Sequence, residues 1–355
     1  MKRALAAVAL RVCSPLLSTG AQQVERHVLA GADVAIYNLA GVARLAPGTG
    51  RDVVVELTRG GRDAADLEIA TGEIRGRETL RVLYPDDRVS YTPGRDYGGS
   101  STLRVREDGT FGESGNDREF RGGGGRRVTV TTGRGGLEAY ADLRITVPAG
   151  QKIAVYLGVG RVFVSNVAGE LLVDVAAAEI TAEGTRGSLN LDTGSGAIGV
   201  TGAEGPVRLD TGSGNVDATR VRGPGLSIDT GSGNVTVSDA DVASLLVDTG
   251  SGSVDATAVR SREMSIDTGS GSVELALLGD VDRLEIDTGS GSVTVTMPAS
   301  LGAEIEVETG SGSIDLGFPV ELRRFARDHL IGKIGDGQGR ITIETGSGSI
   351  RLVRG

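Results

Sequence analysis

The residues of this chain that could do chemistry are carboxylates, and they recur. The acidic residue of an [Asp/Glu]-Thr-Gly-Ser-Gly string falls at Asp192, Asp210, Asp229, Asp248, Asp267, Asp287, Glu308 and Glu344. A string such as Ile228-Asp229-Thr230-Gly231-Ser232 would suit acid proteolysis, which needs two carboxylates about 3 Å apart sharing one proton, one from each half of a pseudo-symmetric site. So many copies, two of them carrying Glu, fit a structural bend better than a dyad. Stacked carboxylates would raise one another's pKa by repulsion without any catalytic role. The outward row Asp192, Asp210, Asp229, Asp248, Asp267 and Asp287 also offers the oxygen ligands that Ca²⁺ takes. The calcium-binding nonapeptide, however, sets its Asp after the glycines and uses two glycine-rich turns per coil, whereas here Asp precedes a single turn. The expectation is a solvated acidic ladder with local hydrogen bonds, these six aspartates being weak calcium candidates. No catalytic residue and no other cofactor is expected. Divalent cations should relieve repulsion along the ladder and raise thermal stability.

The remaining motifs are weaker. Gly194-Ser195-Gly196-Ala197-Ile198-Gly199 fits G-x-G-x-x-G after a strand, but no helical pattern follows it, so dinucleotide binding is not expected. His27 and His329 are the two histidines, far apart and without a Ser or Asp constellation for a triad or zinc site. Arg121-Gly122-Gly123-Gly124-Gly125-Arg126-Arg127 reads as a solvated loop rather than an anion-binding patch.

The elements that must position the carboxylates follow from their spacing. Successive steps between motifs are 18, 19, 19, 19, 20, 21 and 36 residues. Decayed copies precede them at Val173-Asp174-Val175-Ala176-Ala177-Ala178-Glu179-Ile180 and at Val155-Tyr156-Leu157-Gly158-Val159-Gly160-Arg161-Val162. Within a unit the period is two: Leu226, Ile228, Val235 and Val237 face inward, Ser227, Asp229, Asn234 and Thr236 outward, and glycines at positive φ are expected to make the bend. A lone unit cannot bury enough apolar area to offset the ordering of its own backbone, so the units must stack and share one apolar column. The spacing predicts an all-β chain, a parallel β-solenoid (β-helix) of about 19-residue coils with a less regular N-terminal β region. A propeller blade would need twice the length, and strands this rich in Gly, Val and Thr do not make a helical solenoid. The 36-residue gap suggests one degenerate coil between Glu308 and Glu344, with Glu321 to His329 as a helical turn or irregular strand capping the column. Ala70-Thr71-Gly72-Glu73-Ile74 reads as an eroded bend.

Composition agrees. Gly (57) is abundant, Trp is absent and aromatics are 3%, too little bulk for one large globular core. Met1 to Ala21 reads as a signal peptide: Lys2 and Arg3, an apolar stretch, then Thr19-Gly20-Ala21. It contains the single cysteine, Cys13, and Leu10-Arg11-Val12-Cys13 fits a lipidation site poorly. The expected organisation is 1–21 leader, 22–152 less regular β coils with a glycine-rich insertion near 108–127, and 153–355 regular repeats with a C-terminal cap, or one continuous domain 22–355. No later apolar run reaches membrane-spanning length. Residues 22–152 balance 19 basic against 19 acidic side chains and 153–320 carry 8 against 24, so the net charge of −10 arises in the second part. Such a surface repels phosphate backbones, and nucleic acid is not an expected partner.

Ala141-Asp142-Leu143-Arg144-Ile145-Thr146-Val147-Pro148-Ala149-Gly150, the serial Asp-Thr-Gly-Ser-Gly coils and the ending Ile334-Gly335-Asp336-Gly337 to Glu344-Thr345-Gly346-Ser347-Gly348 resemble the bacterial "putative adhesin" family, exported β-strand repeat proteins of unknown function. The likeness runs from Ala141 to the C-terminus and more loosely over Gln22 to Glu138. It implies an exported β-helical module of the cell envelope or surface. The chain departs from the pattern in its alanine-filled coil, Ala176 to Ala178, and its glycine-rich insertion. The function expected from the sequence is a non-enzymatic structural or interaction module binding an unknown envelope component, protein or glycan, in the periplasm, at the outer surface or outside the cell. One alternative is an envelope-stress or regulatory protein that binds another exported protein. The other is a carbohydrate-active β-helix enzyme, which the lack of aromatic sugar platforms disfavours.

Overall fold

The structure, a computed structural model, describes residues 24–93, 100–112 and 125–355. The expected leader with Cys13, and most of the glycine-rich insertion, lie outside them. The described chain is all-β and β-solenoid-like, with almost no helix; a 3₁₀ turn lies at Ala64–Asp66.

Alternation sets the strands and parallel register stacks them. Leu189 and Leu191 pair with Val207 and Leu209, these with Leu226 and Ile228, and these with Leu245 and Val247. All eight are buried, while the residues between them face outward. The offset from one rung to the next is 18 residues for Leu189↔Val207, 19 for Val207↔Leu226 and 20 for Met264↔Leu284. One inward column passes through Leu80, Ile36, Val155, Val173, Leu191, Leu209, Ile228, Val247, Ile266, Ile286, Ile343 and Val307. Every member is buried, so the apolar core is a column shared by rungs none of which has a core of its own.

Both decayed copies are full rungs, Gln151–Ser165 and Gly169–Glu183. The rung Asp33–Gly48 stacks on Gln151–Ser165 although the chain between them returns only after residues 53–148. That excursion covers the end of the column. Arg77–Leu83 pairs parallel with the first half of Asp33–Gly48 and Tyr140–Pro148 with its second half. A buried network ties it down: the Tyr84 hydroxyl donates to Asn38 Oδ1 at 2.7 Å and Asn38 Nδ2 to the Ala141 carbonyl at 2.7 Å. Ala70 to Ile74 is no bend. It belongs to the strand Glu68–Ile74, joined to Arg77–Leu83 by a two-residue turn in which Arg75 (φ 53°) and Gly76 (φ 78°) are both left-handed, as such hairpin turns require.

The C-terminal end departs furthest from the sequence reading. No degenerate coil fills the gap between Glu308 and Glu344. Glu321–Phe325 and His329–Ile334 are antiparallel strands folded back on Ala303–Thr309, and of the two forms expected for this segment Glu321 to Phe325 take the irregular strand, with a bulge, and not the helical turn. The last rung, Gly339–Thr345 with Ile350–Arg354, inserts between its two predecessors: it pairs with Arg283–Thr288 and Val293–Met297 on one side and with Ala303–Thr309 and Ile314–Leu316 on the other. Regular spacing implies neighbours in chain order, and nothing in the spacing distinguishes a rung that closes a gap left by an earlier one.

Candidate functional site

Because the offset matches the motif spacing, the acidic residues come into single file. Asp174, Asp192, Asp210, Asp229, Asp248, Asp267, Asp287, Glu344 and Glu308 occupy one register row, in that spatial order. All six sequence candidates are in it. Asp174, from a decayed copy, and the two motif glutamates lengthen it. Neighbours are one strand spacing apart, about 4.8 Å. At one end the row passes into Tyr156 and Tyr37, whose rings stack with centroids 4.6 Å apart, and at the other into His329. His27 lies on the outer strand Val24–Leu29 at the opposite end of the column. Gly194 to Gly199 forms a corner leading into a strand, Ile198–Thr201.

The row's electrostatics are those of like charges held together. Partial burial, with the carboxylates of Asp174 and Asp210 on either side, pushes Asp192 up to about 6. Burial and then the flanking aspartates also raise Asp229 and Asp267. Arg208, 3.2 Å from Asp210, offsets part of the repulsion. A carboxyl whose folded pKa is raised binds more protons folded than unfolded between its ordinary value and the raised one, so its stability contribution is lost as pH climbs through that window. Thermal melting should therefore fall by several degrees from pH 4.5 to pH 7. Asp192→Asn should melt higher than the parent at pH 7 and show a shallower pH slope; equal slopes would place the repulsion elsewhere.

The residue that the sequence reading passed over is the threonine after each acid. Thr193, Thr211, Thr230, Thr249, Thr268, Thr288, Thr309 and Thr345 are buried. Each hydroxyl donates to a carbonyl of an adjacent rung, as Thr249 to Gly233 at 3.1 Å and Thr345 to Gly291 at 2.9 Å. From Thr230 onward it also accepts the N–H three residues ahead, as from Gly252 at 3.0 Å. A polar side chain on the inward parity of every motif was the available signal: such a group is buried and must be satisfied. The glycines too act differently from the expectation. Apart from Gly196 (φ 154°), none of the motif glycines is at positive φ. A Cβ on Gly252 would instead lie 1.8 Å from the carbonyl oxygen of Gly233, and one on Gly271 1.8 Å from that of Gly252. Glycine is required by the approach of one rung to the next.

Beside the corners the Asn234, Ser253, Ser272, Ser292 and Ser349 N–H groups donate to the side-chain oxygens of Asn215, Asn234, Ser253, Ser272 and Ser292. The return segments carry a row of alternating sign, Arg186, Glu204, Arg222, Asp241 and Arg260, with Arg186–Glu204 at 3.1 Å and Arg260–Asp241 at 3.5 Å. Where the rung order changes, this side opens into a groove of about 660 Å³ lined by Arg260, Arg262, Asp280, Asp282 and Asp336 among others. Among the described residues no group of three or more His, Cys, Asp or Glu side chains could hold a metal ion. The row offers neighbouring carboxylates in file along an open face, without a cage.

No curated protein matches this chain. Solved structures are similar to it, among them the following two. A "putative cell adhesion protein" from Clostridium sporogenes is 11% identical, with 94% of this chain and 99% of that one covered, at a TM-score of 0.23. A "putative adhesin" from Bacteroides fragilis is 10% identical, with 94% and 98% covered, at a TM-score of 0.31. Residues 120–353 match the family described as Toastrack DUF4097. That span takes in the rungs from Gln151 onward, the acidic row and its threonine corners, and this chain belongs to the Toastrack DUF4097 family.

Proposed function

We propose that this chain is an exported, non-enzymatic interaction module of the cell envelope or surface, a parallel β-solenoid rod of about 19-residue coils that engages its partner along a face. The row of carboxylates from Asp174 to Glu308 carries this reading. A face repeating one group at strand spacing makes many equivalent weak contacts in register, and their effect multiplies along an extended partner. A pocket instead encloses one small molecule with a few convergent groups. The sign of the row favours a cationic protein segment or a cation-bridged anionic glycan. Without a cage, divalent cations screen the row collectively, so millimolar Ca²⁺ and Mg²⁺ raise thermal stability alike and chelator reverses both.

The test uses intact cells carrying a tagged copy under mild protease. Loss of the tag signal means an outer-surface rod, and protection until the outer membrane is opened means a periplasmic one. A tag recovered only with cytosolic markers overturns export. Captured envelope material should be released by salt and retained poorly by a chain with Asp210, Asp229 and Asp248 changed to Asn. Sustained turnover in a polysaccharide hydrolysis screen would overturn the non-enzymatic reading.

A further inference from the structure

The two long sides of the column are sheets, and each ends at strands with a partner on one side only. Among the described residues, Glu68–Ile74 bonds to Arg77–Leu83 alone, and at the far end of the same sheet Glu321–Phe325 bonds to His329–Ile334 alone. Open edges invite pairing with another chain, and monomeric proteins blunt them with charge, bulges or a cover. The edge Glu321–Phe325 has a bulge between Leu322 and Arg324, yet it also exposes Leu322 (50%) and Phe325 (65%). An edge built only to repel has no use for an exposed phenylalanine.

The two edges are complementary in charge. Glu68–Ile74 presents exposed Glu68 and Glu73. Glu321–Phe325 presents one exposed carboxylate, Glu321, against Arg323, engaged with Glu304, and Arg324; Arg327 follows, and among the described residues neither Arg324 nor Arg327 forms an ion pair. They are complementary in direction as well. Glu68–Ile74 runs against the rungs, being antiparallel to a strand that is parallel to Asp33–Gly48. Glu321–Phe325 runs with the rungs, after two antiparallel reversals from Ala303–Thr309. A second copy displaced along the column in the same orientation therefore sets the acidic edge antiparallel to the basic one, a direction in which neighbouring strands pair well.

We propose that copies of this chain associate head to tail, the strand Glu321–Phe325 of one adding to Glu68–Ile74 of the next. The contact is heterologous: each copy keeps a free acidic edge at one end and a free basic edge at the other, so the assembly grows as open rods instead of closing as a dimer. Leu322 and Phe325 are covered at the junction, and the ion pairs across it weaken with salt.

The test is sedimentation velocity on the full chain from micromolar to millimolar concentration, with unchanged melting curves required of every variant. The parent should show a mass that grows with concentration and falls with added salt. Arg324→Glu with Arg327→Glu makes both edges acidic, and Glu68→Arg with Glu73→Arg makes both basic. Each double variant alone should stay monomeric, and an equimolar mixture should recover growth, because every junction then joins an acidic edge to a basic one. Phe325→Ser should weaken growth at least tenfold. A parent that stays monomeric throughout overturns the proposal, and so does association that both charge-reversed chains retain unmixed.

Discussion

A chain ended after Gln338 will lose ordered structure well before its new terminus. The deleted rung, Gly339–Thr345 and Ile350–Arg354, is the filling between Arg283–Met297 and Ala303–Leu316. It buries Ile341, Ile343, Ile350 and Leu352, each worth about 1.5–3 kcal/mol against exposure. Their loss also uncovers Leu284, Ile286, Val293 and Val295 on one side and the inward residues of Ala303–Thr309 on the other. Since whole domains are stable by only about 5–15 kcal/mol, the segment from 299 to 338 cannot keep its place with the antiparallel strands alone. Stability in stacked units is a sum of neighbour terms, so rungs back to about residue 260 should survive. Hydrogen exchange is expected to show full loss of protection across 303–334 and near-parental protection from 171 to 256. In a stack built in chain order, the same deletion would spare Ala303–Thr309, and retained protection there would refute the interleaved arrangement.

The contrast between rungs and ends shows what the sequence could carry. The period-two alternation of Leu226, Ile228, Val235 and Val237 and the recurrence of the acid at nearly constant steps encode local strands and their offset, because each rung repeats the same local chemistry against the same neighbour. The inward threonine was equally visible in every motif, yet its meaning depends on a carbonyl one rung away. Two features were beyond reach for a different reason. The rung Asp33–Gly48 finds its neighbour across more than a hundred residues, and Gly339–Arg354 finds its place by filling a gap; both are settled by exposed sheet edges meeting in space, a long-range outcome with no local period. The positive-φ expectation for the motif glycines failed likewise. The sequence shows that a Cβ is excluded, whereas the cause, a carbonyl from the adjacent rung, lies outside the local chain. Family membership follows from the repeat, while the partner depends on which outward groups a ligand meets, and outward positions are those the stacking leaves free to vary.

Among single substitutions, the corner at Thr249 and Gly252 should be the most costly, and it separates two physical causes. Thr249→Val keeps the volume but removes the hydroxyl that donates to the Gly233 carbonyl and accepts the Gly252 N–H, both buried. A buried polar group left unsatisfied costs about 1–3 kcal/mol, so the pair should cost about 2–6 kcal/mol. Thr249→Ser keeps both bonds and loses one methyl, about 1 kcal/mol. Gly252→Ala sets a Cβ 1.8 Å from the Gly233 oxygen, a backbone atom that cannot turn aside, and the rungs must part to admit it. That places its cost in the exceptional tail of about 4 kcal/mol or more. Gly199→Ala is the control: a Cβ there meets nothing within 4 Å and the residue is not at positive φ, so the change should be neutral or slightly stabilising through the unfolded chain. Denaturant midpoints should thus fall in the order Gly199→Ala at or above the parent, then Thr249→Ser, Thr249→Val and Gly252→Ala. Coincident midpoints for the serine and valine variants would mean that the hydroxyl is idle. A tolerated alanine at 252 would mean that the rungs are further apart than the corner geometry requires, and the stacking that aligns the carboxylates would lose its basis.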